Sequence, residues 1–373
     1  MSESRSRRWF LGVGGTIAAA VAACKSKPLP SEPRALGAGI SPYGSRSRFE
    51  KATRFFRPTT IPEEASSRTP LQDTYGIITP SSLHFERHHG GVPEIDPAAH
   101  TLTIHGLVDR PTVFTVAELK RMPSLSRIVF LECSGNSASE WHGAGESDVQ
   151  RAHGLTSCSE WTGVRLATLL KECGAQASGT WILAEGADAC KLARSVPMAK
   201  AMDDALVVYA QNGEPLRPEQ GYPLRLLLPG FEGNTNVKWL RRLKVMNQPA
   251  MTRWETSKYT DLMPDGTARQ FTLDMDAKSV ITRPSGGMSL DGAGVYELTG
   301  LAWSGRGAIA RVDVTTDGGF TWVKTDLQQP VLPRAHTRFR WTWKWDGTEA
   351  LLASRATDDT GYEQPALPTL VDV

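Results

Sequence analysis

Cysteine is scarce in this 373-residue chain: there are five, Cys24, Cys133, Cys158, Cys173 and Cys190, with no Cys-x-x-Cys pair and no Cys-x-x-Cys-His. That excludes a tetrathiolate zinc site and a covalently attached c-type haem, and a chain of this length needs no disulfide framework. Charge of one sign is scarce too. The net charge is +2, and Arg5, Arg7 and Arg8 against Glu3 account for all of it. A general nucleic-acid binder would carry a basic excess, so nucleic acid is not an expected partner. Long apolar runs are also missing, since the stretch from Trp9 to Ala23 is too short and too rich in Gly and Ala to span a bilayer stably. With 40% hydrophobic and 22% charged residues, the chain is globular and long enough for two or three domains.

What is present begins with an address. Ser6-Arg7-Arg8-Trp9-Phe10-Leu11 places paired arginines directly before the apolar stretch, the form of a twin-arginine signal over residues 1–24. It predicts a periplasmic protein exported already folded, commonly around a cofactor. Val21-Ala22-Ala23-Cys24 has the form of a lipoprotein site, which would place a lipid on Cys24, and a cut at Ala20-Val21-Ala22 is the alternative. Residues 25–72 hold nine Lys/Arg against four Asp/Glu and little periodicity, which predicts an extended linker or arm, mostly loop. At least one of the four later cysteines is expected to be free.

From Thr101 the pattern becomes regular. Leu102 and Ile104 alternate as a strand, and Thr115-Val116-Ala117-Glu118 has the form of a capping box opening a helix that stops near Met122-Pro123. Ile128-Val129-Phe130-Leu131 predicts a strand buried on both faces, Val164 to Cys173 a helix ended by Gly174, Trp181 to Ala184 a strand, and Leu224 to Leu228 a buried strand broken by Pro229-Gly230. Strands mixed with helices up to about residue 250 indicate one α+β or α/β domain. After about residue 270, Val295 to Trp303, Ala310 to Thr316, Thr321 to Thr325 and Thr337 to Trp345 predict an immunoglobulin-like β-sandwich. In it Phe339, Trp341, Trp343 and Trp345 share one face as core or interface.

Three groups of residues carry chemistry. Glu132-Cys133-Ser134-Gly135-Asn136 puts a thiol at the carboxyl end of a buried strand, suited to a metal or a nucleophile, though a lone buried cysteine is also a common small apolar residue. His84 and His88 have the i, i+4 spacing of a zinc pair only in a helix, which Gly90-Gly91 and Pro93 disfavour; in a loop, Arg87, His88 and His89 suit an oxyanion. Arg225 is embedded in an apolar strand, where an unpaired charge costs several kcal/mol, so a buried anionic partner is expected there. Lys238, Arg241 and Arg242 extend that basic group, for which a solvated face is the plain alternative.

In order and spacing, Arg87-His88-His89, Cys133-Ser134-Gly135-Asn136, Ala184-Glu185-Gly186-Ala187-Asp188, Gly221-Tyr222-Pro223-Leu224-Arg225 and Asn236-Val237-Lys238-Trp239-Leu240 resemble the sulfite oxidase family of molybdenum-pterin enzymes. Gly154-Leu155-Thr156-Ser157-Cys158-Ser159-Glu160-Trp161 and Tyr259-Thr260-Asp261-Leu262-Met263-Pro264-Asp265-Gly266 resemble its periplasmic branch of bacterial sulfite and sulfane dehydrogenases. The resemblance implies a sulfite-oxidase-type molybdopterin domain over 73–255, followed by an immunoglobulin-like dimerisation domain over 256–373. It implies that the Cys133 thiolate ligates molybdenum beside molybdopterin. His88, His89, Asp188, Gln220, Arg225, Asn236 and Lys238 would hold the pterin and its phosphate, and Arg87 and Tyr259 would face the substrate. The implied activity is two-electron oxidation of sulfite or of sulfane sulfur on a carrier protein. Electrons would leave to a separate c-type cytochrome, in a homodimer or a heterotetramer with it.

Two departures accompany the resemblance. His88 and Gln220 stand where many members carry Asn and His. Many members also continue past Gln364-Pro365 into a segment supplying another active-site arginine, whereas this chain ends at Val373, so that arginine is expected to be missing or replaced by a neighbour. A zinc hydrolase using His84, Glu86 and His88, a cofactor-free exported binding module, and a methionine sulfoxide reductase of the same family stand as alternatives.

Overall fold

The computed structural model describes residues 37–142 and 148–365. The paired arginines, Cys24 and residues 366–373 lie outside the described residues. Residues 37–51 are exposed and form bends and turns without helix or strand, and from Ala52 the chain forms a separate compact unit. Among the described residues no helix is long and apolar enough to cross a membrane.

The loop-like arm expected over 25–72 needs a correction in its later part. Phe55–Arg57 pairs with Ser66–Arg68, which pairs in turn with Glu86–Arg87, and residues 65–71 are buried. The pairing is non-local and the strands are two or three residues long, too short to show a period of two.

Two five-stranded sheets follow. One runs Glu214–Pro215, Leu206–Gln211, Thr156–Arg165, Ser124–Glu132, with Arg225–Leu227 also on Leu206–Gln211. The other runs Thr112–Thr115, Thr101–Gly106, Leu240–Met246, Trp181–Gly186, Ala193–Pro197, parallel only between Leu240–Met246 and Thr101–Gly106. The Thr115 hydroxyl accepts from the Glu118 N–H (3.2 Å) while the Glu118 carboxylate accepts from the Thr115 N–H (2.8 Å), and helix Val116–Arg121 ends at Met122 as expected. The helix expected from Val164 is shorter, Leu166–Glu172, because strand Thr156–Arg165 runs on to Arg165.

Alternation within the strands builds the core. Val129 and Leu131 pack with Phe85, Trp161 and Leu227 on one face of their strand, while Phe130 between them packs on the other with Val280, Leu301 and Trp303. The strand is therefore buried on both faces, as its apolar run predicts. Val207, Leu224 and Leu226 belong to a further core, shared with Leu102, Leu166 and Leu243.

The rest is a β-sandwich. Lys278–Arg283, Gly294–Trp303, Thr337–Trp345 and Asp326–Leu327 form one sheet, and Val323–Lys324, Ile309–Thr315 and Ala353–Asp358 the other. Between them lie Leu298, Val312, Val314, Phe339 and Trp343, with Trp341 and Trp345 half-buried against this core. The aromatic stripe is thus core. Cys133, Cys158, Cys173 and Cys190 are all free.

Two buried histidines make stability depend on pH. Burial holds His84 and His336 down from the ordinary 6.5 to about 3. Both are neutral in the fold and take up protons on unfolding below 6.5, so their contribution is complete above that pH and is lost as pH falls toward 3. The urea midpoint should therefore be lower at pH 5 than at pH 7.5, with a smaller difference in His336→Gln; equal midpoints at the two pH values would contradict this.

Candidate functional site

Strand Ser124–Glu132 delivers Cys133 into a tight turn. The Asn136 N–H donates to the Cys133 carbonyl (2.9 Å), and the Cys133 N–H donates to the Leu155 carbonyl (3.0 Å). Asn136 Oδ1 accepts from the Leu155 N–H (3.0 Å), closing the turn against the neighbouring chain. Gly233 lets a second loop approach: a Cβ there would meet the Glu132 carbonyl oxygen at 2.6 Å and the Cys133 Cα at 3.3 Å. Burial pushes the Cys133 thiol up, against the nearby Arg87 charge.

Cys133 lines a hollow of about 440 Å³ together with Arg87, His89, Glu232, Trp254 and Tyr259. An adjoining narrower cleft shares Arg87, His89, Cys133 and Tyr259 and adds Gln220, Arg225, Asn236 and Lys238. Eight of the ten residues expected at the site thus converge. His88 lies behind the cleft wall, and Asp188 lines neither space.

The cleft is cationic. Arg225 alternates with Leu224 and Leu226, so it points to the face holding Trp161, whose ring lies 5.2 Å from its guanidinium carbon. Among the described residues its guanidinium donates only to the Gln220 carbonyl and Oε1, both at 3.2 Å. Burial alone pulls the guanidinium down to about 9, still charged at neutral pH. Lys238 donates to the Arg87 carbonyl (3.2 Å), the Glu219 carbonyl (3.1 Å) and His88 Nδ1 (2.8 Å). Burial first, then the Arg225 charge, pulls this ammonium well below its ordinary value. Among the described residues no carboxylate forms an ion pair with either cation.

His88 is fixed by both ring nitrogens: Nδ1 accepts from Lys238, and Nε2 donates to Glu86 Oε2 (2.8 Å). Burial and the Lys238 charge bring it to about 4, so it is neutral. Burial would raise Glu86, yet the His88 hydrogen bond and the Arg54 charge hold it at about 2. His89, brought to about 4 by burial and Arg87, shares a 2.7 Å hydrogen bond with the Tyr259 hydroxyl, which burial pushes up. A neutral imidazole and a protonated phenol therefore face the hollow.

Asn236 and Asp188 also hydrogen-bond to backbone. Asn236 spends its amide on its own loop, Oδ1 accepting from the Leu228 N–H (2.7 Å) and Nδ2 donating to the Glu232 carbonyl (3.0 Å). Asp188 accepts from the Leu192 N–H (3.0 Å), closing the 188–192 turn. Arg241 and Arg242 are half-exposed and both bind Glu185, so they form the solvated face. The zinc alternative has no ligand set. His84 lies in a non-helical segment, fully buried, with Nδ1 donating to the Phe85 carbonyl (3.0 Å), and His88 has no free nitrogen.

Arg194 escaped the sequence reading. It is fully buried, its guanidinium carbon lies 5.0 Å from the Tyr259 ring, and Glu255 is 3.8 Å away, yet none of its three nitrogens has a hydrogen-bond partner. It lies in the buried strand Ala193–Pro197, whose sequence, with Ser195 after the arginine, marks it less plainly than the leucines around Arg225.

The residues present fit a pterin bearing a phosphate and a metal. Arg87 Nη1, Arg225 Nε and Asn234 Oδ1 are buried without partners, all on residues lining the cleft, and two of the three belong to cations suited to a phosphate. Cys133 offers the soft donor such a metal takes. Among the described residues no cluster of three His, Cys, Asp or Glu side chains could hold a metal unaided.

Comparison with known proteins agrees with this geometry. The family described as Oxidoreductase molybdopterin binding domain matches residues 89–254, and that described as Mo-co oxidoreductase dimerisation domain matches residues 269–371. The crystal structure of the sulfane dehydrogenase SoxCD from Paracoccus pantotrophus superposes with a TM-score of 0.89 at 45% identity, covering 91% of this chain and 89% of that one. Mitochondrial sulfite oxidase of Rattus norvegicus is 31% identical over 320 residues, which is 78% of this chain and 58% of the rat protein. The NAD(P)H nitrate reductase of Hordeum vulgare is 33% identical over 339 residues, 79% of this chain and 38% of the barley protein. This chain, with its molybdopterin-binding domain and β-sandwich, is a member of the sulfite oxidase family of molybdenum-dependent oxidoreductases.

Proposed function

We propose that this protein is the molybdenum subunit of a periplasmic dehydrogenase that oxidises sulfite or carrier-bound sulfane sulfur and passes the electrons to a c-type cytochrome. The observation that carries the reading is the cleft behind Cys133, where Arg225 and Lys238 are buried beside unpartnered donors and, among the described residues, no carboxylate is ion-paired to either. The likeness to the sulfane dehydrogenase SoxCD supports the sulfur substrate, and the paired arginines of the leader support export by the twin-arginine route.

Bound there, the molybdenum-pterin group supplies a two-electron redox centre able to exchange oxygen with a substrate. Cys133 would be its protein ligand, and Arg225 and Lys238 would neutralise the phosphate. Gln220 orients Arg225 through two contacts and is itself held by donating to the Phe85 carbonyl (2.8 Å). Arg87, with one buried nitrogen free, would hold an anionic substrate in the hollow. Tyr259 would hydrogen-bond the reacting oxygens through its hydroxyl, held in place by His89 and, on its ring face, by Arg194.

Three outcomes test these roles. Cys133→Ser should lower sulfite- or sulfane-dependent cytochrome reduction at least roughly a hundredfold, and unchanged turnover would rule out the ligation. Arg225→Met and Lys238→Met should each cut the pterin retained per chain about tenfold, while half-exposed Arg241→Ala leaves it unchanged; equal pterin content in all three would refute the phosphate assignment. Arg194→Met should lower the melting temperature, since it leaves the buried Glu255 carboxylate without its cation, and should slow turnover about tenfold. Full turnover in that variant would show that Tyr259 needs no such support.

A further inference from the structure

We propose that Glu132 is a positioning residue through which the β-sandwich domain fixes the Cys133 turn. Glu132 ends strand Ser124–Glu132, directly before Cys133, and is completely buried. A carboxylate there must find donors, and it finds three. Asn136 Nδ2, on the turn itself, donates to Oε1 at 3.0 Å. The other two come from the sandwich: Lys278 Nζ donates to Oε1 and Trp303 Nε1 to Oε2, both at 2.7 Å.

The fork is built into the sandwich. Lys278 and Trp303 are register partners on adjacent strands, so their donors stand side by side. Lys278 also donates to Ser137 Oγ (3.3 Å), and Ser137 holds a left-handed backbone at φ 63°, which costs a non-glycine residue energy. Behind the fork, the His336 ring lies 5.2 Å from Trp303, and its Nε2 meets Thr156 Oγ1 at 3.0 Å. Ser124–Glu132 is the outer strand of its sheet, and the sandwich supplies a substitute neighbour: the Phe130 N–H donates to the Arg334 carbonyl (3.0 Å). The Cys133 turn is therefore clamped between Gly233 on one side and the sandwich on the other. A domain whose family description is dimerisation thus also supports, from behind, the turn that carries Cys133.

The test uses the full chain and two readouts, amide hydrogen exchange of residues 133–137 and the rate at which bound molybdenum is lost on dialysis; only the second rests on the proposed function. Lys278→Met and Trp303→Phe should each speed local exchange at least about tenfold without changing exchange in the sheet Leu240–Met246, and should speed metal loss by a similar factor. Lys278→Arg should restore both rates. Arg306→Ala, which removes an exposed pair with Asp276, should change neither. If Trp303→Phe fails to fold, Lys278→Met and Glu132→Gln decide the matter. Local exchange within twofold of the parent chain in both overturns the proposal. If the parent chain carries no molybdenum, the functional reading fails, and the exchange data still judge the latch by themselves.

Discussion

Arg225 and Lys238 are held inside the chain and, among the described residues, no carboxylate is ion-paired to either; most of the site can be read as a response to that imbalance. Burying an ammonium or guanidinium unpaired costs several kcal/mol, a large share of the 5 to roughly 15 kcal/mol that holds a typical domain together. The local acids are engaged elsewhere: Glu86 is tied to Arg54 and His88, and Asp188 closes its own turn. In the proposed reading the phosphate of the cofactor would relieve that charge.

The second constraint is geometric. Cys133 is exposed to the hollow only because its turn is gripped from three directions: the Leu155 backbone, the Gly233 loop and the buried Glu132 carboxylate. Side chains of the β-sandwich provide part of that grip, and the apolar cluster joining Phe130 to Val280, Leu301 and Trp303 makes the junction a continuous core rather than a contact between separate bodies. Rigid support of this kind is what a redox metal site requires, since a ligand free to swing would change geometry between oxidation states.

Much of this was legible before folding was considered. Arg225 was marked by its apolar neighbours, the Cys133 turn by its place after a fully apolar run, and the helix at Val116–Arg121 by its capping box. Those signals are local. What was not legible depends on distant pairing: Lys278 and Trp303 lie 146 and 171 residues from Glu132, and the Ser66–Arg68 strand is recognisable only beside Glu86–Arg87. Asp188 and Asn236 entered through family resemblance, and their side chains also close backbone turns. Arg194 was passed over because its local cue is fainter than that of Arg225.

The measurement bearing most directly on the account is elemental analysis of the purified protein, made together with pterin fluorescence after denaturation. One molybdenum and one phosphorylated pterin per chain would supply the anion that Arg225 and Lys238 lack and the metal that Cys133 faces. Protein recovered folded from molybdenum-replete cells with zinc or no metal, and without pterin, would contradict it.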